Sequence, residues 1–196
     1  QQLSKFNIED CLFFIASKSF NTLETLQNAN SVKQKLSSLE LSESELSQHF
    51  IAATENQQAA MHFGCSQSHI LPIWDFVGGR FSLWSSIGFP IAVALGKENF
   101  LELLTGAHQM DRHFIENDFN NNMPIILACI SVWYQNFFKA STRAIIPYSY
   151  NLKTFPAFLQ QLDMESLGNS VDINNQIIDY PSGGIIWGSE CTNSQN

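Results

Sequence analysis

The sequence predicts an α/β protein, and three observations carry that expectation. A short apolar run over residues 11–16 stops abruptly at the hydroxyl-rich turn Ser17-Lys18-Ser19-Phe20-Asn21-Thr22, and a helical pattern follows at once. The succession then recurs, because residues 50–53 read as a second buried strand with a short helix near residues 57–63 behind it. The third observation is bulk composition. Of 196 residues, 44% are hydrophobic, 12% aromatic and only 14% charged, more apolar mass than a solvated chain keeps exposed. A compact fold of this length buries roughly 70% of its unfolded surface. Strands alternating with helices favour a sheet wrapped by helices.

Taken in order, Leu26, Ala29, Val32 and Leu36 recur at spacings of three and four, so residues 23–36 form an amphipathic helix with Thr22 as its cap. Residues 37–48, rich in Ser and Glu, are expected to be exposed. From Trp74 the chain becomes mostly helical, with segments over residues 82–95, 98–114 and 124–138. A short strand is expected at residues 144–146, a helix at 151–162, and a hairpin-like β region over 177–187 turned at Ser182-Gly183-Gly184. No internal repeat is visible. A boundary between two packed α/β lobes is expected near residue 90, giving regions 1–90 and 91–196.

Composition also excludes function classes. Ten Lys and Arg against 18 Asp and Glu leave a net charge of -8, and no basic cluster exists to hold a nucleic-acid backbone. The uncharged stretches 81–96 and 120–138 are broken by Pro, Ser, Asn or Gln, so they read as buried helices and not as membrane spans. The start, Gln1-Gln2-Leu3-Ser4-Lys5, has neither an initiator Met nor a signal-peptide pattern and reads as a cut end. Cys11, Cys65, Cys129 and Cys191 lie more than fifty residues apart, so reduced thiols in a cytosolic protein are expected. Cys11 and Cys129, set in apolar runs, are expected to be small buried hydrophobes. The five histidines, His49, His62, His69, His108 and His113, show no metal-ligand spacing, and no G-x-S-x-G hydrolase elbow occurs.

Three places carry residue types suited to chemistry. The turn Ser17-Lys18-Ser19-x-x-Thr22 gathers hydroxyls, an ammonium and backbone N–H groups where a strand feeds a helix, which suits a phosphate. The same residues equally fit an ordinary helix cap. Gly78-Gly79-Arg80 allows close backbone approach beside a fixed guanidinium fork, but it also fits a tight turn with a surface ion pair. Glu165, after a predicted helix and beside Met164, is a carboxylate that desolvation would raise toward a working base; an acidic residue in a loop is also commonly just solvated.

Beyond these local patterns, Val77-Gly78-Gly79-Arg80-Phe81-Ser82-Leu83-Trp84-Ser85-Ser86-Ile87-Gly88 resembles the signature of the glucose-6-phosphate isomerase family. The resemblance extends to Ile15-Ala16-Ser17-Lys18-Ser19-Phe20 with Thr22, to Thr105-Gly106-Ala107-His108 with Met110-Asp111, to Gln160-Gln161 with Asp163-Met164-Glu165-Ser166, and to Ile186-Trp187-Gly188. It implies two sugar-isomerase (SIS) domains, parallel sheets flanked by helices, in a cytoplasmic homodimer of glycolysis and gluconeogenesis that interconverts glucose 6-phosphate and fructose 6-phosphate without metal or organic cofactor. It further implies that Ser17, Lys18, Ser19 and Thr22 bind phosphate and that Gly79 and Arg80 lie beside the reacting carbons. Gln161 would contact substrate, and Glu165 would move the proton between C1 and C2. Such chemistry passes through a cis-enediol, whose developing oxyanion a permanently charged arginine stabilises.

Departures from the family pattern shape a second set of expectations. The motif resembling T-N-G-Q-H stands as Thr192-Asn193-Ser194-Gln195-Asn196, placing an amide where the ring-opening histidine falls, and the later lysine is absent. Leu162, Leu167 and Asn169 replace smaller or polar residues around Glu165, and residues 189–191 also differ. The chain is therefore expected to cover the incomplete second half of one SIS domain, with the phosphate loop, and the helical start of the next, with the catalytic Glu. Open strand edges would make isolated folding marginal or dependent on self-association. The rival expectation is a phosphosugar-binding SIS module without catalysis; a decayed remnant would neither bind nor turn over.

Overall fold

The computed structural model describes residues 5–190, so Cys191 and the 192–196 segment lie outside the described residues. The chain divides into two compact units, Gln1–Leu104 and Thr105–Asn196.

In the first unit, β1 (Phe13–Ala16), β2 (Phe50–Thr54) and β3 (Ile70–Pro72) form a parallel sheet in that spatial order, with Phe13 opposite Phe50 and Ala52 opposite Ile70. Helices α1 (Leu23–Ser37) and α2 (Glu43–Gln48) cross from β1 to β2, and α3 (Gln57–Phe63) crosses from β2 to β3. A parallel strand between two neighbours is covered on both faces and reads as continuous apolar sequence. Accordingly Phe50, Ala52, Ala53 and Thr54 are all buried. Around β2 the core gathers Ile15, Phe20, Ala29, Leu36, Ala60, Cys65 and Ile70. The Phe63 ring meets Phe50 edge-on at 5.3 Å and Phe20 at 5.9 Å. Helix α3 begins where the Asn56 side chain accepts from the Ala59 N–H and ends at Gly64, whose φ of +116° suits a residue without Cβ.

Two elements here escaped the sequence reading. Helix α2 opens on a capping box, Ser42 with Glu45, a spacing present in the sequence. The hydrogen bonds from Ser42 hold the Glu45 carboxyl below its usual range. Strand β3 is only three residues long and ends in Pro72, too short to show a period. The helix expected over residues 82–95 is instead broken into 3-10 turns at Gly79–Trp84 and Ser86–Gly88, followed by α4 (Phe89–Leu95). Ser85 is extended and its Oγ accepts from the Ile87 N–H, while Pro90, which lacks an N–H, is tolerated only in a first helical turn.

Helix α5 (Lys97–Glu116) leads into the second unit, where α6 (Met123–Asn136), β4 (Thr142–Ala144), α7 (Phe155–Leu159), α8 (Glu165–Leu167) and β5 (Ile185–Trp187) follow. The α5–α6 corner is tied by Asn122, fully buried, whose Nδ2 donates to the Phe114 carbonyl at 2.7 Å and whose Oδ1 accepts from the Ile125 N–H. Nε2 of His113 accepts from the Met123 N–H. Strands β4 and β5 pair in parallel, with Thr142 opposite Ile185. This corrects the hairpin expected at Ser182-Gly183-Gly184: β5 returns to β4, and the only antiparallel pairing among the described residues is the bridge Val171–Ile177. Between α7 and α8 the backbone widens into a π-helical turn, Gln160–Met164.

Helix α6 corrects a second expectation, since none of its residues is buried and Leu127, Trp133 and Tyr134 stand more than half exposed. A helix apolar on every side buries itself only against several neighbours, and the described residues do not surround it. Cys129, on α6, is likewise exposed and Cys11 is half-buried, while Cys65 is the buried thiol, pushed up to about 11 by burial. Alkylation with iodoacetamide at pH 8 is therefore expected to label Cys129 and to spare Cys65 until denaturant is added, as peptide mapping would read out; equal labelling of both in the native protein would contradict it. Among the described residues no helix is long and apolar enough to cross a membrane.

Candidate functional site

At the C-terminal ends of the parallel strands in the first unit, the turn after β1 meets the segments after β2 and β3. This is the edge of an open α/β sheet where ligands characteristically bind. Ser17 is 6% exposed; its N–H extends the ladder to the Ala53 carbonyl at 3.1 Å, and its own carbonyl accepts from the Phe20 N–H at 3.2 Å. Phe20 closes this turn at φ +53°, a left-handed conformation that a bulky residue rarely adopts, while its ring is buried against Phe63. Packing of the ring holds the strained backbone in place.

Thr22 occupies the N-cap position of α1 as expected, yet its side chain makes no cap hydrogen bond. Its Oγ1 lies 3.2 Å from Ser17 Oγ, so two hydroxyls converge at the opening of α1. This weighs against the ordinary helix-cap alternative. Ser19 Oγ donates to Asn21 Oδ1. Lys18 Nζ donates to the Asp75 carbonyl beyond β3 and stands 3.9 Å from Glu55 Oε2, both side chains being substantially exposed. A helix N-terminus, hydroxyls and an ammonium are the kinds of group from which an anion site is built.

Gly79 and Arg80 follow β3 in the same unit. Gly79 is exposed and starts a 3-10 turn, and a Cβ built on it would meet no described atom within 4 Å. Half-buried Arg80 places its guanidinium carbon 5.3 Å from the centre of the Phe81 ring. Beside it lies a hollow of about 380 Å³, lined by Trp74, Phe76, Phe81 and Trp84. The conformation of Gly79 does not itself require glycine, so Gly79→Ala is expected to change stability by less than about 0.5 kcal/mol. A ligand approaching that backbone would still feel the methyl group. The check is to compare thermal unfolding with fructose 6-phosphate binding: stability kept and binding weakened at least tenfold is the expected pair.

Gln161 and Glu165 lie in the second unit, on the π-helical turn and at the start of α8, so Glu165 is helical and not in the expected loop. Both are exposed, which corrects the expected desolvation of Glu165 beside Met164: the Met164 Sδ accepts from the Ile186 N–H at 3.4 Å, and Glu165 lies on the exposed side of the turn. The segment is pinned to β5 by Gln160 Nε2, which donates to the Ile186 carbonyl at 2.9 Å, and to β4 by the Arg143–Asp163 ion pair at 2.8 Å. A π turn changes the angular offset between Gln161 and Glu165 from its α-helical value, and such turns concentrate at functional sites. Sequence periodicity carries no sign of it.

Thr54, Glu55, Asn56 and Asp75, which support the turn, were not singled out from sequence. Their available signal was position, a polar Thr-Glu-Asn step directly after an apolar run. Among the described residues no group of three or more His, Cys, Asp or Glu is placed to hold a metal ion. His49 and His69 instead engage the carbonyls of Cys11 and Phe50.

Comparison with known proteins accords with this geometry. The family model for phosphoglucose isomerase matches residues 1–196. The glucose-6-phosphate isomerase of a Marinomonas species is 48% identical over 195 residues, and that of Christiangramia forsetii 50% identical over 196; all of this chain is covered, against 36% of either relative. The crystal structure of a glucose-6-phosphate isomerase from Chlamydia trachomatis superposes with a TM-score of 0.84 at 35% identity, covering 99% of this chain and 37% of that one. The chain thus spans about a third of the length of the relatives it matches, and since the family model matches it from end to end, it belongs to the phosphoglucose isomerase family.

Proposed function

We propose that this chain carries the phosphate-binding and proton-transfer parts of an aldose–ketose isomerase acting on glucose 6-phosphate and fructose 6-phosphate. Residues 1–90 would supply the second half of a first SIS domain and residues 91–196 the helical opening of a second, in an enzyme that is cytoplasmic and a homodimer at full length. The observation that carries the reading is the turn after β1, where the Ser17 and Thr22 hydroxyls converge beside Lys18 at the start of α1. Ser17, Lys18, Ser19 and Thr22 hold the phosphate; Gly79 and Gln161 contact the sugar. The remote phosphate positions C1 and C2. Glu165 takes the proton from one carbon and returns it to the other through a cis-enediol, while Arg80 offsets the oxyanion charge without competing for that proton.

The test is exchange of the C2 hydrogen of glucose 6-phosphate, and of the C1 hydrogen of fructose 6-phosphate, with deuterium from the solvent. This detects proton abstraction without requiring net turnover. Exchange that depends on Glu165 supports the enzyme; binding of the sugar phosphate with no exchange would replace the proposal with its rival, a phosphosugar-binding module.

A further inference from the structure

We propose that Thr54 is a positioning residue for the anion-binding turn, acting through the backbone carbonyl of Lys18; the inference rests on the phosphate reading of residues 17–22. Thr54 ends the central strand β2 and is fully buried. Its Oγ1 donates to the Lys18 carbonyl at 2.9 Å and accepts from the Asn56 N–H at 3.1 Å. The Glu55 N–H donates to the same Lys18 carbonyl at 2.9 Å, and Asn56 Nδ2 reaches the Ser19 carbonyl at 3.4 Å. Three donors from one strand end therefore draw two successive carbonyls of the turn toward β2.

The consequence follows from peptide geometry. In a planar trans peptide the C=O of one residue and the N–H of the next point in opposite directions. Holding the Lys18 carbonyl on Thr54 therefore aims the Ser19 N–H away from β2. An anion is repelled by carbonyl oxygens and attracted by N–H groups, so this orientation decides whether the turn attracts or rejects phosphate. It is also set before any ligand arrives, because β2 is among the most deeply buried elements of the unit. Affinity then loses little to ordering the loop on binding.

The experiment titrates the 196-residue chain with fructose 6-phosphate and with inorganic phosphate, followed by NMR, for the wild type, Thr54→Val, Thr54→Ser and Ser17→Ala. Valine keeps the shape and removes the hydroxyl; serine restores it. Thr54→Val is expected to weaken both ligands about tenfold, with Thr54→Ser within about threefold of wild type. A folded Thr54→Val protein that binds as tightly as wild type overturns the inference while leaving the phosphate reading intact. If wild type binds neither ligand, or Ser17→Ala binds equally well, the phosphate reading falls and the inference with it. Amide hydrogen exchange on the wild type tests the same point without a variant. The Glu55 N–H is expected to be protected before ligand is added; protection that appears only on binding would mean that the turn is not preset.

Discussion

Glu165→Gln is expected to slow the exchange of substrate carbon-bound hydrogen by about 10²–10⁴-fold, the range a positioned general base contributes. The substitution keeps the size and the hydrogen-bonding shape of the side chain but removes its capacity to accept and return a proton. Glu165 is exposed at the start of α8, and the segment is anchored by Gln160, Asp163 and Met164, so the local fold should survive the change. Binding of fructose 6-phosphate should accordingly remain within about threefold, a split between chemistry and affinity that global unfolding cannot mimic. The measurement is deuterium incorporation followed by NMR on both proteins at saturating sugar phosphate. Equal incorporation in both would remove Glu165 from the proton-transfer step.

The largest effect on stability is expected at Phe50. Its side chain is 1% exposed and sits between two rings, Phe13 at 6.0 Å and Phe63 at 5.3 Å, the second edge-on at 89°. Phe50→Ala removes the apolar area, the ring contacts and the filled volume together, at a cost of about 3–5 kcal/mol. Against a total stability of about 5–15 kcal/mol for a domain, that is enough to leave the first unit marginal. Because Phe63 also supports the Phe20 ring, and Phe20 holds the left-handed corner of the 17–22 turn, the same substitution should loosen the candidate site at a distance. Urea denaturation read by tryptophan fluorescence gives the first quantity, and protection of the Glu55 amide against exchange gives the second. A loss below about 1 kcal/mol would show that β2 is not the centre of the core.

Much of the architecture was legible in advance where local signals and burial agree. Strands β1 and β2 are apolar runs, β1 ended by a hydroxyl-rich turn, α1 keeps a helical period, and a short helix follows β2 where it was expected. The hydroxyls, ammonium and glycines of the candidate site were legible for the same reason: their chemistry is local. What was misjudged depends on partners far along the chain. Residues 177–187 look like a hairpin because Gly183 and Gly184 mark a turn, yet β5 finds its hydrogen bonds on β4, some forty residues earlier. Residues 82–95 carry helical composition, but Ser85 and Pro90 restart the chain in shorter turns. Helix α6 shows the limit of composition, since apolar sequence states a demand for burial and cannot state which neighbour meets it.

By itself, then, the sequence determined the α/β class, the positions of β1, α1, β2 and α3, and the residue types able to hold a phosphate, because periodicity, capping and turn chemistry act over a few residues. Tertiary structure alone decided that Thr22 turns its hydroxyl to Ser17 and not to its own helix, that Thr54 and Glu55 take up the Lys18 carbonyl, and that Glu165 is exposed at the end of a π turn. Each of those outcomes is a choice among hydrogen-bond partners that are equivalent in sequence, and only the packing of strands and helices distant along the chain brings one partner within reach and removes the others.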